Sequence, residues 1–160
     1  MAVWPVQSSR ALGTGSNARA FFCCEAYVGV RILIADDHDI VRHGIRRVLE
    51  VKPDWEICGE AANGQEAVRM ARELSPDVII MDVTMPVMSG FEAADEISRL
   101  PINSRVLFFT MHDSSGLAGS VRRSGAQGYV VKSRAALDLI QALERLLKGG
   151  TFFESGSYTH

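Results

Sequence analysis

The run Val78-Ile79-Ile80-Met81, followed by Asp82, Val83, Thr84, Met85 and Pro86 with Gly90 shortly behind, constrains the fold more than any other stretch. Consecutive apolar residues without alternation read as a strand covered on both faces, as in a parallel sheet between two helical layers. The strand ends in a carboxylate, and Pro86 cannot donate to a ladder, so pairing stops close behind Asp82. Ligands bind beyond the carboxyl ends of the strands in such sheets, and Asp82 stands at that edge. Taken alone, the stretch also admits an aspartate that only caps a turn.

The rest of the chain repeats the same unit. Val30–Ala35 is a strand ending in Asp36-Asp37, and Asp39–Glu50 places Ile40, Val41, Ile45, Val48 and Leu49 at helical spacing. Trp55–Ala61 is a second strand, and Asn63 caps a helix running through Leu74. After the Asp82 strand come a helix near Phe91–Leu100, a fourth strand at Arg105–Thr110 and a fifth at Gln127–Lys132. Ser133 is positioned to cap a closing helix to Lys148, with Gly149-Gly150 as its stop. Between the last two strands, Ser114, Ser115, Gly116, Gly119 and Ser120 all weaken helix propensity, so that helix is expected to be short or mobile. Five strands alternating with five helices predict an α/β fold, a flavodoxin-like (βα)5 doubly wound parallel sheet with strand order 2-1-3-4-5.

That order gives the polar strand ends a common address. The first and third strands become neighbours, so Asp36, Asp37 and Asp82 converge at the switch point, with Thr110 and Lys132 ending the fourth and fifth strands. Two carboxylates about 4 Å apart repel by roughly 4 kcal/mol at an effective dielectric of 20. Such a cluster either raises a pKa or holds a cation. An all-oxygen donor set points to Mg²⁺ with several retained waters, one ligand being a backbone carbonyl after Asp82, that of Thr84. A hydroxyl and an ammonium facing the acids make sense if an anion also arrives. A phosphoryl group on Asp82 brings charge of about −2 and acceptor oxygens for Thr110, Lys132 and the metal. Singly, each residue has an ordinary reading: Asp36 and Asp37 as helix-start acids, Thr110 as a strand residue, Lys132 as a snorkelling lysine. Their coincidence at one edge carries the argument.

Composition narrows the setting. With 17 basic and 19 acidic residues the net charge is −2, which offers no global field for nucleic acid or an anionic membrane. No apolar run approaches the roughly 18 residues of a membrane span. Cys23, Cys24 and Cys58 form neither a disulfide framework nor a metal-type spacing, which fits a reducing, cytoplasmic location. Residues 1–28 lack periodicity and carry no acid before Glu25, and are expected to be a poorly ordered extension. His38 and His43 lack metal-ligand spacing and read as surface residues, and Arg122-Arg123 as a solvated helix end.

Over Val30–Lys148 the sequence resembles a response-regulator receiver domain of two-component signalling. The resemblance rests on Asp36-Asp37, Asp82 with Met85-Pro86 and Gly90, Thr110, and Gly128-Tyr129-Val130-Val131-Lys132. Ala35-Asp36-Asp37-His38 and Thr110-Met111-His112-Asp113 are similar to the NarL/FixJ-type branch. The resemblance implies a receiver domain over 29–149 and a tail or the start of a linker over 150–160. Asp82 would accept a phosphoryl group from a sensor histidine kinase, with Mg²⁺ held by Asp36, Asp37, Asp82 and the Thr84 carbonyl. Thr110 and Lys132 would bind phosphoryl oxygens, and Tyr129 would move inward as the threonine shifts. That rearrangement would reshape the surface of the fourth helix, fifth strand and fifth helix. Thr84 and His112 sit where the family tunes phosphate lifetime.

Ser133 follows Lys132 where many family members have a cis-proline, so a trans bond is expected, and Met111 is larger than the small residue usual after the threonine. Members of this branch usually continue into a helix-turn-helix domain. The expected partners are therefore a histidine kinase, a second copy of the receiver in a homodimer, and either a downstream output protein or a DNA-binding domain beyond this chain. This chain is not expected to bind nucleic acid or membrane directly. Promotion of its own phosphotransfer and dephosphorylation, rather than turnover of a separate substrate, is expected. The alternatives are a Mg²⁺-dependent aspartyl-phosphate phosphatase, which usually carries an acid where Thr84 stands, and an interaction module that works without phosphate.

Overall fold

The computed structural model describes residues 29–153; the extension expected over 1–28 lies outside them. Five strands, β1 (Val30–Ala35), β2 (Trp55–Ala61), β3 (Val78–Asp82), β4 (Arg105–Thr110) and β5 (Gly128–Val131), alternate with five helices. These are α1 (Asp39–Leu49), α2 (Gly64–Leu74), α3 (Gly90–Ser98), α4 (Leu117–Arg123) and α5 (Ala135–Leu147). The sheet is parallel with order β2-β1-β3-β4-β5, as the sequence predicts.

Strand side chains alternate between two cores, following the period of two of an extended chain. Leu33, Ile79, Met81, Val106, Phe108 and Tyr129 face one side and are covered by α2, α3 and α4 through Ala67, Ala71, Ala93, Ile97 and Val121. Ile32, Ile34, Val78, Ile80, Leu107, Phe109 and Val130 face the other, under Ile45 and Leu49 of α1 and Leu139, Leu143 and Leu146 of α5. All five residues of β3 are buried, which explains its unbroken apolar run. Each large side chain so enclosed contributes about 1.5–3 kcal/mol.

Local signals set the helix ends. Asn63 caps α2 by accepting from the Glu66 amide at 2.8 Å. Ser89 opens α3 with a capping box: its hydroxyl accepts from the Glu92 amide, and the Glu92 carboxylate accepts from the Ser89 amide. α4 has only seven residues and begins after Gly116 in a left-handed conformation with no side-chain cap, in keeping with its weak sequence.

Two local expectations are corrected. Ser133 does not cap α5: Lys132–Arg134 form a single 3₁₀ turn, so α5 starts at Ala135 without a side-chain cap. That turn also takes Lys132 out of β5. Ile40 does not join the core face of α1 but is 81% exposed, because at 100° per residue it lies about 140° around the helix from Ile45. No cis peptide bond occurs among the described residues, so the bond after Lys132 is trans.

The loop from β3 to α3 is held tightly against the strand it leaves. The Gly90 amide donates to the Val83 carbonyl at 2.9 Å, and a Cβ on Gly90 would collide with the Asp82 carbonyl oxygen. Only glycine permits this approach. Gly90→Ala is therefore expected to lower unfolding stability by about 1–3 kcal/mol, read as a lower urea midpoint with an unchanged slope. An unchanged midpoint would show that the loop yields without cost.

Candidate functional site at the carboxyl edge of the sheet

Register brings the polar strand ends together. Ala35 lies opposite Met81, so Asp36 and Asp82, the next residues of adjacent central strands, share the carboxyl edge. Thr110 lies opposite Val131, which places Lys132 directly after the end of β5. Asp36, Asp37, His38 and Asp82 each offer a ligand atom, and these four atoms lie within 4.8 Å of one another. Asp36 and Asp82 are buried, whereas Asp37 is more open to solvent.

Lys132 is the cation of the cluster. Its Nζ donates to Asp36 Oδ2 at 2.7 Å and lies 3.3 Å from Asp82 Oδ1, with only 11% of its side chain exposed. The snorkelling-surface reading of Lys132 therefore fails. Asp36 uses its other oxygen to accept from the His38 amide at 2.8 Å, and the Arg42 guanidinium donates to the Asp36 carbonyl at 2.6 Å. Burial, then repulsion from Asp36, pushes the Asp82 carboxyl above its ordinary range; Lys132 opposes both without cancelling them. One ammonium among three carboxylates leaves the edge electron-rich, a setting that favours a divalent cation.

A cavity of about 470 Å³ opens over these groups and is lined by Asp37, His38, Ile40, Asp82, Thr84, Thr110, Met111, His112 and Lys132. Thr84 is exposed, and Met111, 63% exposed, stands at the mouth rather than plugging it. The Thr110 hydroxyl donates to the His112 carbonyl at 3.3 Å, inside its own loop. Tyr129 is already turned inward and buried, and its hydroxyl donates to Asp113 Oδ1 at 3.0 Å.

The structure thus gathers Asp37, Asp82, Thr84, Thr110, His112 and Lys132 around one cavity, with Asp36 buried beside it on Lys132 and Tyr129 behind the Thr110 loop. Sequence reasoning missed His38. It is exposed, as expected of a surface residue, but its Nδ1 lies 3.2 Å from Asp36 Oδ1 and 3.0 Å from Asp37 Oδ1, so it also belongs to the cluster. Its place directly after the acid pair was the available signal. The arrangement can hold a hard cation through carboxylate oxygens and present one carboxylate to an incoming electrophile.

Comparison with known proteins agrees with this geometry. The family described as the response regulator receiver domain matches residues 32–144. The transcriptional regulatory protein LiaR of Bacillus subtilis is 39% identical over 126 residues, covering 79% of this chain and 60% of that protein. The transcriptional regulatory protein DegU of Brevibacillus brevis is 36% identical over 124 residues, covering 77% and 52%. The chain thus spans a little over half the length of these curated relatives. Among solved structures, a LuxR-family two-component response regulator from Aurantimonas superposes with a TM-score of 0.74 at 42% identity, over 78% of this chain and 89% of that one. The isolated REC domain of RcsB from Salmonella enterica, in the presence of phosphomimetic BeF3−, gives 0.72 at 29% identity, over 79% and 94%. With its sheet order, its edge of acids and the family match over residues 32–144, the chain belongs to the response regulator receiver domains of two-component signalling.

Proposed function

We propose that Asp82 is the phosphoacceptor of this receiver and that Asp36, Asp37 and Asp82, with the Thr84 carbonyl, hold Mg²⁺. The observation that carries the reading is a buried carboxylate at a strand end, beside a second buried acid and within 3.3 Å of a nearly buried ammonium. The donor set fits the ion, being oxygen-rich and more acidic than one lysine can balance. When bound, Mg²⁺ supplies charge neutralisation at the phosphoryl oxygens.

The chain's own groups do the rest. An oxygen of the Asp82 carboxylate attacks the phosphorus of a phosphohistidine on a sensor histidine kinase. The phosphorus–nitrogen bond breaks, and the imidazole leaves with its electron pair. Lys132 is placed to move its hydrogen bond from carboxylate to phosphoryl oxygen, a charge-assisted contact. Thr110 donates to another oxygen once its hydroxyl leaves the His112 carbonyl. Thr84 and His112, both lining the cavity, govern how readily water reaches the acyl phosphate. Tyr129 follows the Thr110 loop, and the surface of α4, β5 and α5 changes with it, a shift between two packings. Thr84 offers no carboxylate to protonate a leaving group, which disfavours a phosphatase.

Output passes either to a further domain, as the longer curated relatives suggest, or to a separate protein through the α4–β5–α5 surface. A homodimer through the receiver would serve the same output. No described helix is long and apolar enough to cross a membrane, and we place the receiver in the cytoplasm with its kinase's catalytic core.

Mg²⁺ binding tests the metal half of the reading directly. Calorimetric titration should show one site, lost in Asp37→Asn, whose partly open side chain makes it the variant least disruptive to folding. Binding should weaken as pH falls through the raised Asp82 pKa, because the proton and the ion compete for one carboxylate. Equal Mg²⁺ affinity in Asp37→Asn would remove that residue from the ligand set.

A further inference from the structure

Beyond α5 the chain turns back onto the sheet. Phe152 makes a parallel bridge to Gly128: its amide donates to the Gln127 carbonyl at 3.0 Å, and its carbonyl accepts from the Tyr129 amide at 2.9 Å. A Cβ on Gly128 would collide with the Phe152 carbonyl oxygen and lie 2.9 Å from the Phe152 nitrogen. Glycine at 128 is therefore the condition for this docking. The two phenylalanines straddle the sheet edge. Phe152, 2% exposed, enters the α1–α5 core with the Arg145 guanidinium 5.5 Å from its ring centroid. Phe153 packs on the opposite core, its ring 6.4 Å from that of Tyr129 at 71°, with the Arg122 guanidinium 4.2 Å over it. Arg122 is thus an exposed helix-end residue, as expected, that also stacks on Phe153.

Tyr129 therefore touches two things at once: Asp113 through its hydroxyl and Phe153 through its ring. Asp113 lies three residues from Thr110, in the loop whose His112 carbonyl now accepts from the Thr110 hydroxyl. A threonine has one hydroxyl proton, so donating to a phosphoryl oxygen requires releasing that carbonyl. The loop that holds Asp113 then loses an anchor, and the tyrosine loses the acceptor that fixes its ring against Phe153.

We propose that Thr151–Phe153 is a displaceable strap, a one-bridge sixth strand whose docking on β5 is coupled to Asp82 through Thr110, Asp113 and Tyr129. Asp113 acts as the positioning residue. The strap is docked when Asp82 is free and loosened when it carries a phosphoryl group. This rests on the phosphoacceptor reading of Asp82. Because linkage is reciprocal, a strap that opposes the phosphorylated packing also weakens binding of a phosphoryl analogue by the same factor.

Amide hydrogen exchange of the whole chain, with Mg²⁺ alone and with Mg²⁺ and beryllofluoride, tests the coupling. The Phe152 and Tyr129 amides should exchange about fivefold faster or more with the analogue, while β3 amides stay protected. Gly128→Ala, which prevents docking, should bind beryllofluoride about fivefold more tightly or more and show fast Phe152 exchange in both states. Phe153→Ser serves the same purpose should Gly128→Ala fold poorly. Asp113→Ala should bring the exchange ratio close to one. Beryllofluoride bound, by fluorine resonance, with unchanged Phe152 exchange would overturn the strap and leave the Asp82 reading intact. No beryllofluoride binding would overturn both.

Discussion

Lys132→Met is expected to destabilise the chain by about 3–5 kcal/mol at neutral pH without divalent cation, a large part of the 5–15 kcal/mol typical of a domain. The cause is not a lost surface contact. Lys132 is 11% exposed and holds Asp36, which is 1% exposed, at 2.7 Å, while also facing Asp82. Removing the ammonium leaves buried carboxylates beside one another with no compensating charge. Methionine keeps most of the stem, so the deficit reports the charge. It should shrink as pH is lowered toward about 4, the ordinary carboxylate range. Asp82, raised first by burial and then by Asp36, takes up a proton there more readily in the folded chain than in the unfolded chain. A deficit equal at every pH would instead point to lost packing. Mg²⁺ should restore part of the stability by supplying the missing positive charge. Chemical denaturation at several pH values, with and without Mg²⁺, reads all three effects.

Asp82→Asn is expected to act in the opposite direction on stability while abolishing phosphoryl uptake. Asp82 is 5% exposed, and burial and Asp36 both penalise its charged form. The sign follows from linkage. A carboxyl whose folded pKa lies above its unfolded value binds more protons in the folded state, so stability falls as pH rises from about 4 through the raised folded pKa. Above that pKa the whole penalty is present; below the unfolded pKa it is absent. Asparagine keeps the shape and removes the charge. The variant should therefore melt about 2–5 °C higher at neutral pH in the absence of Mg²⁺ and lose most of that advantage in acid. A lower melting temperature at neutral pH would mean that the Asp82–Lys132 attraction outweighs burial and repulsion. A residue that costs stability as it stands, at the edge where ligands bind, is the expected mark of a group kept for chemistry.

The sheet and its order were legible because Val78–Met81 left no alternation to mistake, and because the repeated strand–helix unit admits few topologies. Register then followed from topology, which is why Asp36, Asp82, Thr110 and Lys132 could be assigned to one edge before any distance was known. What stayed hidden was local or came from across the fold. Ser133 has the right chemistry for a cap, yet the 3₁₀ turn at Lys132–Arg134 shifts the helix start past it. Ile40 fits a loose apolar pattern but lies off the face defined by Ile45 and Leu49, and it ends at the mouth of the site. His38 lacks the spacing of a metal ligand within a helix; its place directly after Asp36-Asp37 was its one signal, and periodicity does not report such a neighbour. The Phe152 bridge joins residues 24 positions apart through a glycine whose lack of a side chain is the only trace in the sequence.

The most direct test of the account is the intact mass of the purified chain after incubation with acetyl phosphate, compared in Mg²⁺ and in EDTA, for the native chain and Asp82→Asn. The account predicts one added phosphoryl group on the native chain in Mg²⁺, and none in EDTA or on the variant. Uptake that persists in Asp82→Asn, or a native chain that takes no phosphoryl group from either acetyl phosphate or a phosphorylated histidine kinase, would contradict it.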